Sequence, residues 1–195
     1  VGTVRDLGEL AVELVQDPAG RRLFRELIGR HHYLGYRVPF GAQLRYLVWA
    51  SLPNRQPVAA VQFSSPAWRI AVRDTWVGWS DAVRKRNLQH VVNQSRFLIM
   101  PWVRVKNLGS HALSRVAVSV RTDWKNAFSV EPLLIETLVH ERYPGTCYRA
   151  SNWIGLGQTA GRGRMDIGHR RHGAEPKAVF VMPLAYDARE RLCAG

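Results

Sequence analysis

Cysteine is nearly absent from this 195-residue chain, which has only Cys147 and Cys193. Two cysteines supply neither a disulfide framework nor a Cys-rich zinc site, so a reduced, cytoplasmic protein is expected. Long apolar runs are missing as well. Nothing approaches the ~20 apolar residues that a spanning helix needs. The first residues show no secretory pattern of basic n-region, apolar core and small-residue cleavage site, and no membrane partner is expected. Lysine is scarce: 24 of the 28 basic residues are arginine, against 15 Asp and Glu, for a net charge of +13. Repeats, low-complexity tracts and long linkers are not found. No P-loop, dinucleotide-binding fingerprint, Gly-x-Ser-x-Gly elbow or zinc-deaminase signature occurs, which leaves helicase and nuclease chemistry without visible support.

What is present is a 46% hydrophobic chain of single-domain length. At this size roughly 70% of the unfolded surface can be buried without a metal or disulfide. One domain over residues 1–195 is expected, with N-terminal helices in 1–30 and a basic, Trp-rich insertion at 64–94. Arginine presents a planar fork that grips phosphate and stacks on bases, so the charge points to a polyanion partner, DNA rather than RNA. The excess is concentrated in residues 66–130, with 11 basic against 3 acidic side chains. An arginine-rich surface that merely solubilises the chain is the competing explanation.

Hydrophobic periodicity predicts two helices at the start, the first carrying Leu7, Leu10, Ala11, Leu14 and Val15. The second is capped by Asp17-Pro18 and stops near Gly29. The alternation after Gln43 predicts a hairpin turning at Pro53-Asn54-Arg55-Gln56. A helix is expected from about Asp81 to Val92. A central strand follows over Ser95–Val103, then a helix from Asn107 to about Trp124 and a buried strand over Pro132–Val139. A short helix over Gly145–Trp153, strands over Ile154–Thr159 and Ala178–Leu184, and a C-terminal helix complete the order. This alternation predicts an α/β fold with a mixed central sheet flanked by helices. Ser95–Val139 should form a parallel crossover, with ligands at the carboxyl ends of splayed strands.

The segments HHYLGY, LRYLVWA, RDTWVGWS, NLQHVVNQSRFLIMPWVRVKNLGSHALS, IETLVHERYPGTCYRASNWIGLGQT and GRGR occur in this order. Over about Leu27 to Leu184 they resemble the DruA family of the Druantia anti-phage system. SRFLIMPW, a following helix, IETLV and GTCYRASNW are more distantly similar to Mom-type DNA-modifying enzymes. That resemblance implies a GNAT-like (N-acyltransferase-like) fold and transfer of a small group to a nucleobase amine. It also implies an acyl-CoA-type donor, whose pyrophosphate GNAT enzymes hold on a Gly-rich loop at a helix N-terminus. Here that loop is Lys106-Asn107-Leu108-Gly109-Ser110-His111, with one Gly surviving. Lys106, Gly109, Ser110 and Arg96 are the candidate donor-binding residues. An ordinary helix cap accounts for the loop equally well.

Glu136 stands inside an apolar strand, where an unpaired carboxylate is costly. It is a candidate general base or ligand for a metal of unknown identity, and the competing role is a salt bridge to Arg96 or Arg149. His32 and Tyr33, which match a His-Tyr pair of the Mom-type pattern, are candidates for proton transfer. Tyr148 and Asn152 lie four apart and should share a helix face, Tyr148 stacking or donating a proton and Asn152 reading a base edge. Asp74 is a second candidate carboxylate or the partner of Arg73. Arg69, Arg84, Lys85, Arg86 and Arg104, interleaved with Trp68, Trp76, Trp79 and Trp102, suit nucleic-acid binding, as do Arg162 and Arg164. The reading is therefore a defence protein that binds nucleic acid and modifies a base. The alternative is a non-catalytic DNA-binding accessory to a helicase or transposase.

Overall fold

A computed structural model describes residues 2–159 and 175–194. Arg162 and Arg164 lie outside the described residues. A short 3-10 turn at Val4–Leu7 leads into β1 (Leu10–Leu14), α1 (Pro18–His31), β2 (Gln43–Ala50) and β3 (Gln56–Ser64). Then come α2 (Ala71–Val77), α3 (Asp81–Asn87), β4 (Val91–Ile99), α4 (Leu108–Phe128) and β5 (Leu134–His140). The chain continues through α5 (Thr146–Arg149), β6 (Ile154–Gln158), β7 (Lys177–Pro183) and α6 (Ala188–Cys193). The seven strands form one mixed sheet in the order β1-β2-β3-β4-β5-β7-β6, as the α/β expectation required. Within it β4 and β5 are parallel, joined through α4, and the other neighbours are antiparallel.

The first expected helix is instead a strand. Leu10 is buried, and the segment pairs with β2 from Leu10 opposite Ala50 to Leu14 opposite Tyr46. Five residues with apolar groups at both helical and alternate spacing do not decide between the two, and the exposed edge of the hairpin does. The second helix forms as expected on Asp17, whose carboxylate accepts the Ala19 and Gly20 N–H groups, but runs on to His31. The helix expected to Val92 ends at Asn87, and β4 begins at Val91 rather than Ser95. Pro101 lies beyond its end. The parallel crossover is present.

Side-chain parity sorts the core into two layers. Tyr46, Val61, Phe63, Val92, Ile135 and Phe180 pack with Val116 and Val120 of α4 on one face. On the other, Leu47, Ala60 and Leu98 meet Phe24 and Ile28 of α1, while Val91, Leu134 and Val181 meet Val77 and Leu192. Burial of such faces supplies most of the driving force, at about 25 cal/mol per Å² of apolar surface. A register shift interrupts the pairing of β3 with β4. Gln62 faces Arg96, Phe63 faces Gln94, and Ser95 is the extra residue. A bulge bends its strand and re-aims the side chains beyond it. At the same level, the parallel pairing of β4 with β5 stops at Gln94 opposite Thr137. Both strands continue beyond it, so they diverge.

Candidate functional site

The divergence opens a cleft of about 570 Å³ through the sheet. Its side walls are β4 from Gln94 to Ile99 and β5 from Thr137 to His140. The C-terminal turn of α1, with His32 and Tyr33, closes one end, and Gly145–Tyr148 closes the other. The Gly145 backbone is in the left-handed region (φ 67), and a Cβ there would meet the Phe180 ring at 2.7 Å, so only glycine brings α5 this close to β7. That approach seats Tyr148 in the cleft, stacked on Phe180 at 5.4 Å between ring centroids and edge-on to Trp153 and Phe97.

The Tyr148 side chain is buried, and burial pushes its phenol pKa well above the ordinary tyrosine range, with Thr137 and Gln94 beside the hydroxyl drawing it partly back. It is a proton donor throughout the physiological range. The His32 imidazole is driven down to about 4, first by burial and then by the Arg96 and Arg142 guanidiniums. Its Nδ1 accepts the Leu34 N–H at 3.2 Å, which fixes the neutral tautomer with the proton on Nε2. His32 is therefore neutral near pH 7 and presents Nε2–H as a donor. Because its folded pKa lies below the ordinary 6.5, its stabilising contribution is complete above pH 6.5 and lost as pH falls toward 4. In an NMR titration the His32 ring should turn over near pH 4, and R142A should move the midpoint upward. A midpoint at 6.5 in the parent protein would contradict this environment.

Tyr33 is 38% exposed at the mouth. Its ring stacks on His32 (4.9 Å) and contacts Tyr143 (5.4 Å) and His140 (5.8 Å), with the Arg142 guanidinium 4.2 Å from its centroid. Arg96 donates to the carbonyls of Gly35 and Ser95, and burial lowers its pKa. It is not the partner of Glu136.

Several expected site residues lie elsewhere. Glu136 is fully buried on the α1/α2 face of β5, one residue before the cleft-lining Thr137. Its carboxylate accepts from Arg73 at 2.7 Å and from the Ala67 N–H at 3.3 Å. Arg73 is itself fully buried and bonds Asp74 at 2.7 Å. Asp74 also accepts from the Trp79 indole and lies 3.6 Å from Arg84. Burial raises the Glu136 pKa, and Arg73 pulls it back. The carboxylate expected to be a general base is thus part of an internal ion-pair chain, and Asp74 belongs to the same chain. The salt bridge weighed for Glu136 exists, but with Arg73 rather than Arg96 or Arg149.

Asn152 does not share a face with Tyr148. The helix ends at Arg149, and Asn152 is exposed in the left-handed region (φ 63), outside the cleft. Arg84 is buried, packed over Trp68 at 5.1 Å and bonded to Asp81, so it is not a free phosphate contact. Arg69 is exposed but engaged by both Asp81 oxygens. Lys85, Arg86 and Arg104 are exposed, as are Trp68 and Trp102, while Trp79 is buried and Trp76 partly so.

Lys106, Gly109 and Ser110 do not line the cleft. A Cβ on Gly109 would meet the Cys147 Cβ at 3.0 Å, and Ser110 Oγ donates to the Asn107 carbonyl as a cap. The side of the one surviving glycine that would carry a Cβ packs against Cys147 of α5. Among the described residues no group of three or more His, Cys, Asp or Glu side chains could hold a metal.

The site also contains residues that sequence patterning does not single out: Gln94, Thr137, His140, Arg142 and Tyr143. A polar pair opposite each other on adjacent inner strands is the available signal for Gln94 and Thr137, but it needs the register.

This seven-stranded order, with a cleft where its two parallel strands part, defines a GNAT-like fold. It superposes on spermidine N-acetyltransferase from Vibrio cholerae in complex with CoA and spermine, at 9% identity, 89% of this chain, 95% of that one and a TM-score of 0.56. An aminoglycoside acetyltransferase in complex with coenzyme A aligns at 14% identity, 94% and 98% coverage and a TM-score of 0.56. A chimera of the Vibrio cholerae enzyme reaches 0.58 at 9% identity, with 95% and 98% coverage. No curated protein matches the chain significantly. Residues 2–174 match the family described as Druantia protein DruA, and the chain belongs to that family.

Proposed function

We propose that this protein is a GNAT-fold transferase of anti-phage defence that binds DNA and transfers a small group to a nucleobase held in the β4/β5 cleft. The cleft carries the reading, because its polar groups converge as donors. The Tyr148 hydroxyl stays protonated and His32 offers Nε2–H, while Arg96 adds a fixed positive charge. Donors aimed at developing negative charge in a partly dry site lower the barrier to group transfer. The amine attacks the transferred group as that group's bond to the donor breaks; the leaving group departs with a proton from Tyr148, and the proton lost by the amine returns through solvent, since Glu136 does not reach the cleft. The family's name supports a place in defence, and the amine-directed names of the solved neighbours support an exocyclic amine as the acceptor. The excess of arginine supports a polyanionic substrate. The donor is left unassigned, because only one glycine survives in the loop over residues 106–111.

The test is mass spectrometry of nucleosides digested from the DNA of phage-challenged cells that carry the defence system with this chain. A new, heavier nucleoside absent without the chain is expected. An unchanged nucleoside profile, together with salt-dependent DNA retention by the purified protein, would instead make it a binding accessory to a helicase or transposase. The departure of the loop over residues 106–111 from the Gly-rich pattern is the observation that favours this second reading.

A further inference from the structure

The cleft holds one buried polar group that the proposed transfer chemistry does not use. Gln94 is 3% exposed and lines the cleft at the point where β4 and β5 part. The Tyr148 hydroxyl is its polar neighbour, but neither its side-chain oxygen nor its nitrogen closes a hydrogen bond of good geometry with the protein. A buried amide left unmatched costs about 1–3 kcal/mol, and few such groups persist in native interiors without a role. An amide presents one donor and one acceptor side by side, so its natural complement is an edge with an acceptor beside a donor. Nucleobase edges have this form, and Asn and Gln read them bidentately.

The mouth supplies the rest of a nucleotide's requirements. Tyr33 and Tyr143 offer aromatic faces, and Arg142 lies over both, 4.2 Å and 4.8 Å from the ring centroids. Among the described residues Arg142 meets no carboxylate, and Arg96 is bonded to backbone carbonyls and close enough to Arg37 to feel its charge. Two acids stand near this rim: Glu175 pairs with His140, and the exposed Glu141 lies between His140 and Arg142 in the chain. A guanidinium without an ion-pair partner among the described residues, beside exposed aromatic rings, suits the backbone and bases of an unpaired strand.

We infer that the cleft takes one unpaired nucleotide of a single-stranded or locally opened polynucleotide. Gln94 reads the base edge, Tyr33 and Tyr143 stack on neighbouring bases, and Arg142 holds the phosphate. This assignment rests on the nucleobase reading of the proposed function and names Gln94 as its specificity determinant. It concerns binding alone, so it requires no donor.

The experiment is fluorescence anisotropy of the purified protein with labelled 12-mers of dA, dC, dT and a mixed purine sequence, repeated over a salt series. Nucleoside monophosphates and coenzyme A serve as competitors. The parent protein should prefer one base by about 5- to 100-fold, the range of a good bidentate contact. Gln94→Leu, which removes the unmatched amide and should keep or raise the melting temperature, should flatten that preference to within a few-fold while retaining affinity. Arg142→Ala, at an exposed position, should weaken all sequences alike and reduce the salt slope by about 0.7 for single strands. The inference is overturned if the parent protein binds no oligonucleotide or shows no base preference. It is also overturned if Q94L keeps the preference, or if coenzyme A alone competes. Base-selective binding lost in Q94L without any modified nucleoside would sink the transfer reading and leave this one standing. A modified nucleoside with selectivity unaffected in Q94L would do the reverse.

Discussion

Replacing Arg73 with methionine should lower the melting temperature by roughly 6–20 °C. The figure rests on the burial of both partners: the Arg73 and Glu136 side chains are each fully inaccessible and 2.7 Å apart. Removing one member leaves the other charged and unpaired in a dry interior, at a cost of about 3–5 kcal/mol. A domain of this size loses about 2–4 °C per kcal/mol. Arg73 also binds Asp74 and the Ala67 carbonyl, so the single change disturbs the connection between α2 and the sheet. The paired substitution Arg73→Met with Glu136→Leu should recover most of the loss, because two apolar groups of similar volume replace both charges. Asp74 keeps the Trp79 indole and the Ile70 N–H as partners. Thermal unfolding followed by circular dichroism checks both variants. A double variant no more stable than the single one would show that the chain does more than neutralise itself.

The second large effect concerns chemistry rather than stability. Tyr148→Phe should reduce phage protection, and the yield of any modified nucleoside, by about 10²–10⁴-fold, the usual worth of a positioned proton donor. The ring keeps its stacking on Phe180 and its edge contacts with Trp153 and Phe97. The hydroxyl contributes only a weak polar contact with Thr137 and Gln94, so the fold should lose no more than about 1 kcal/mol. Loss of function with an unchanged melting curve separates a role in the reaction from a role in packing. Full activity in Y148F would remove the phenol from the mechanism and leave the cleft as a binding site.

Local pattern exposes the architecture better than the site. Alternation after Gln43 and the turn at Pro53–Gln56 are enough to specify a hairpin, and the helix expected from Asn107 forms as α4, running on to Phe128. Leu10–Leu14 reads as a helix in isolation because its pairing partner, β2, lies more than 30 residues away and local spacing carries no information about it. Glu136 is conspicuous as a charge among apolar residues, and it is indeed paired. Its partner Arg73 lies 63 positions earlier, in a helix that periodicity does not reveal.

The candidate site fails where it depends on register and chain reversal. Gln94 and Thr137 become one polar pair only through the parallel alignment of β4 with β5. Tyr148 and Asn152 part company because α5 is a single turn that stops at Arg149, and Asn152, three residues further on, is in the left-handed region. Arg84 joins the basic run in sequence, yet its helix turns it inward onto Asp81 and Trp68. His32 and Tyr33 are legible through their chemistry and their match to the His-Tyr pair of the Mom-type pattern, and both line the end of this cleft.

One comparison bears directly on whether the work of the protein is done in the cleft or at the buried carboxylate. Plaque counts on cells carrying the defence system should be compared for Tyr148→Phe and for the paired Arg73→Met, Glu136→Leu variant. Protection lost in the first and retained in the second is the outcome expected of a cleft-centred transferase. Protection retained in Y148F and lost in a folded pair variant would return the chemistry to Glu136 and contradict the account.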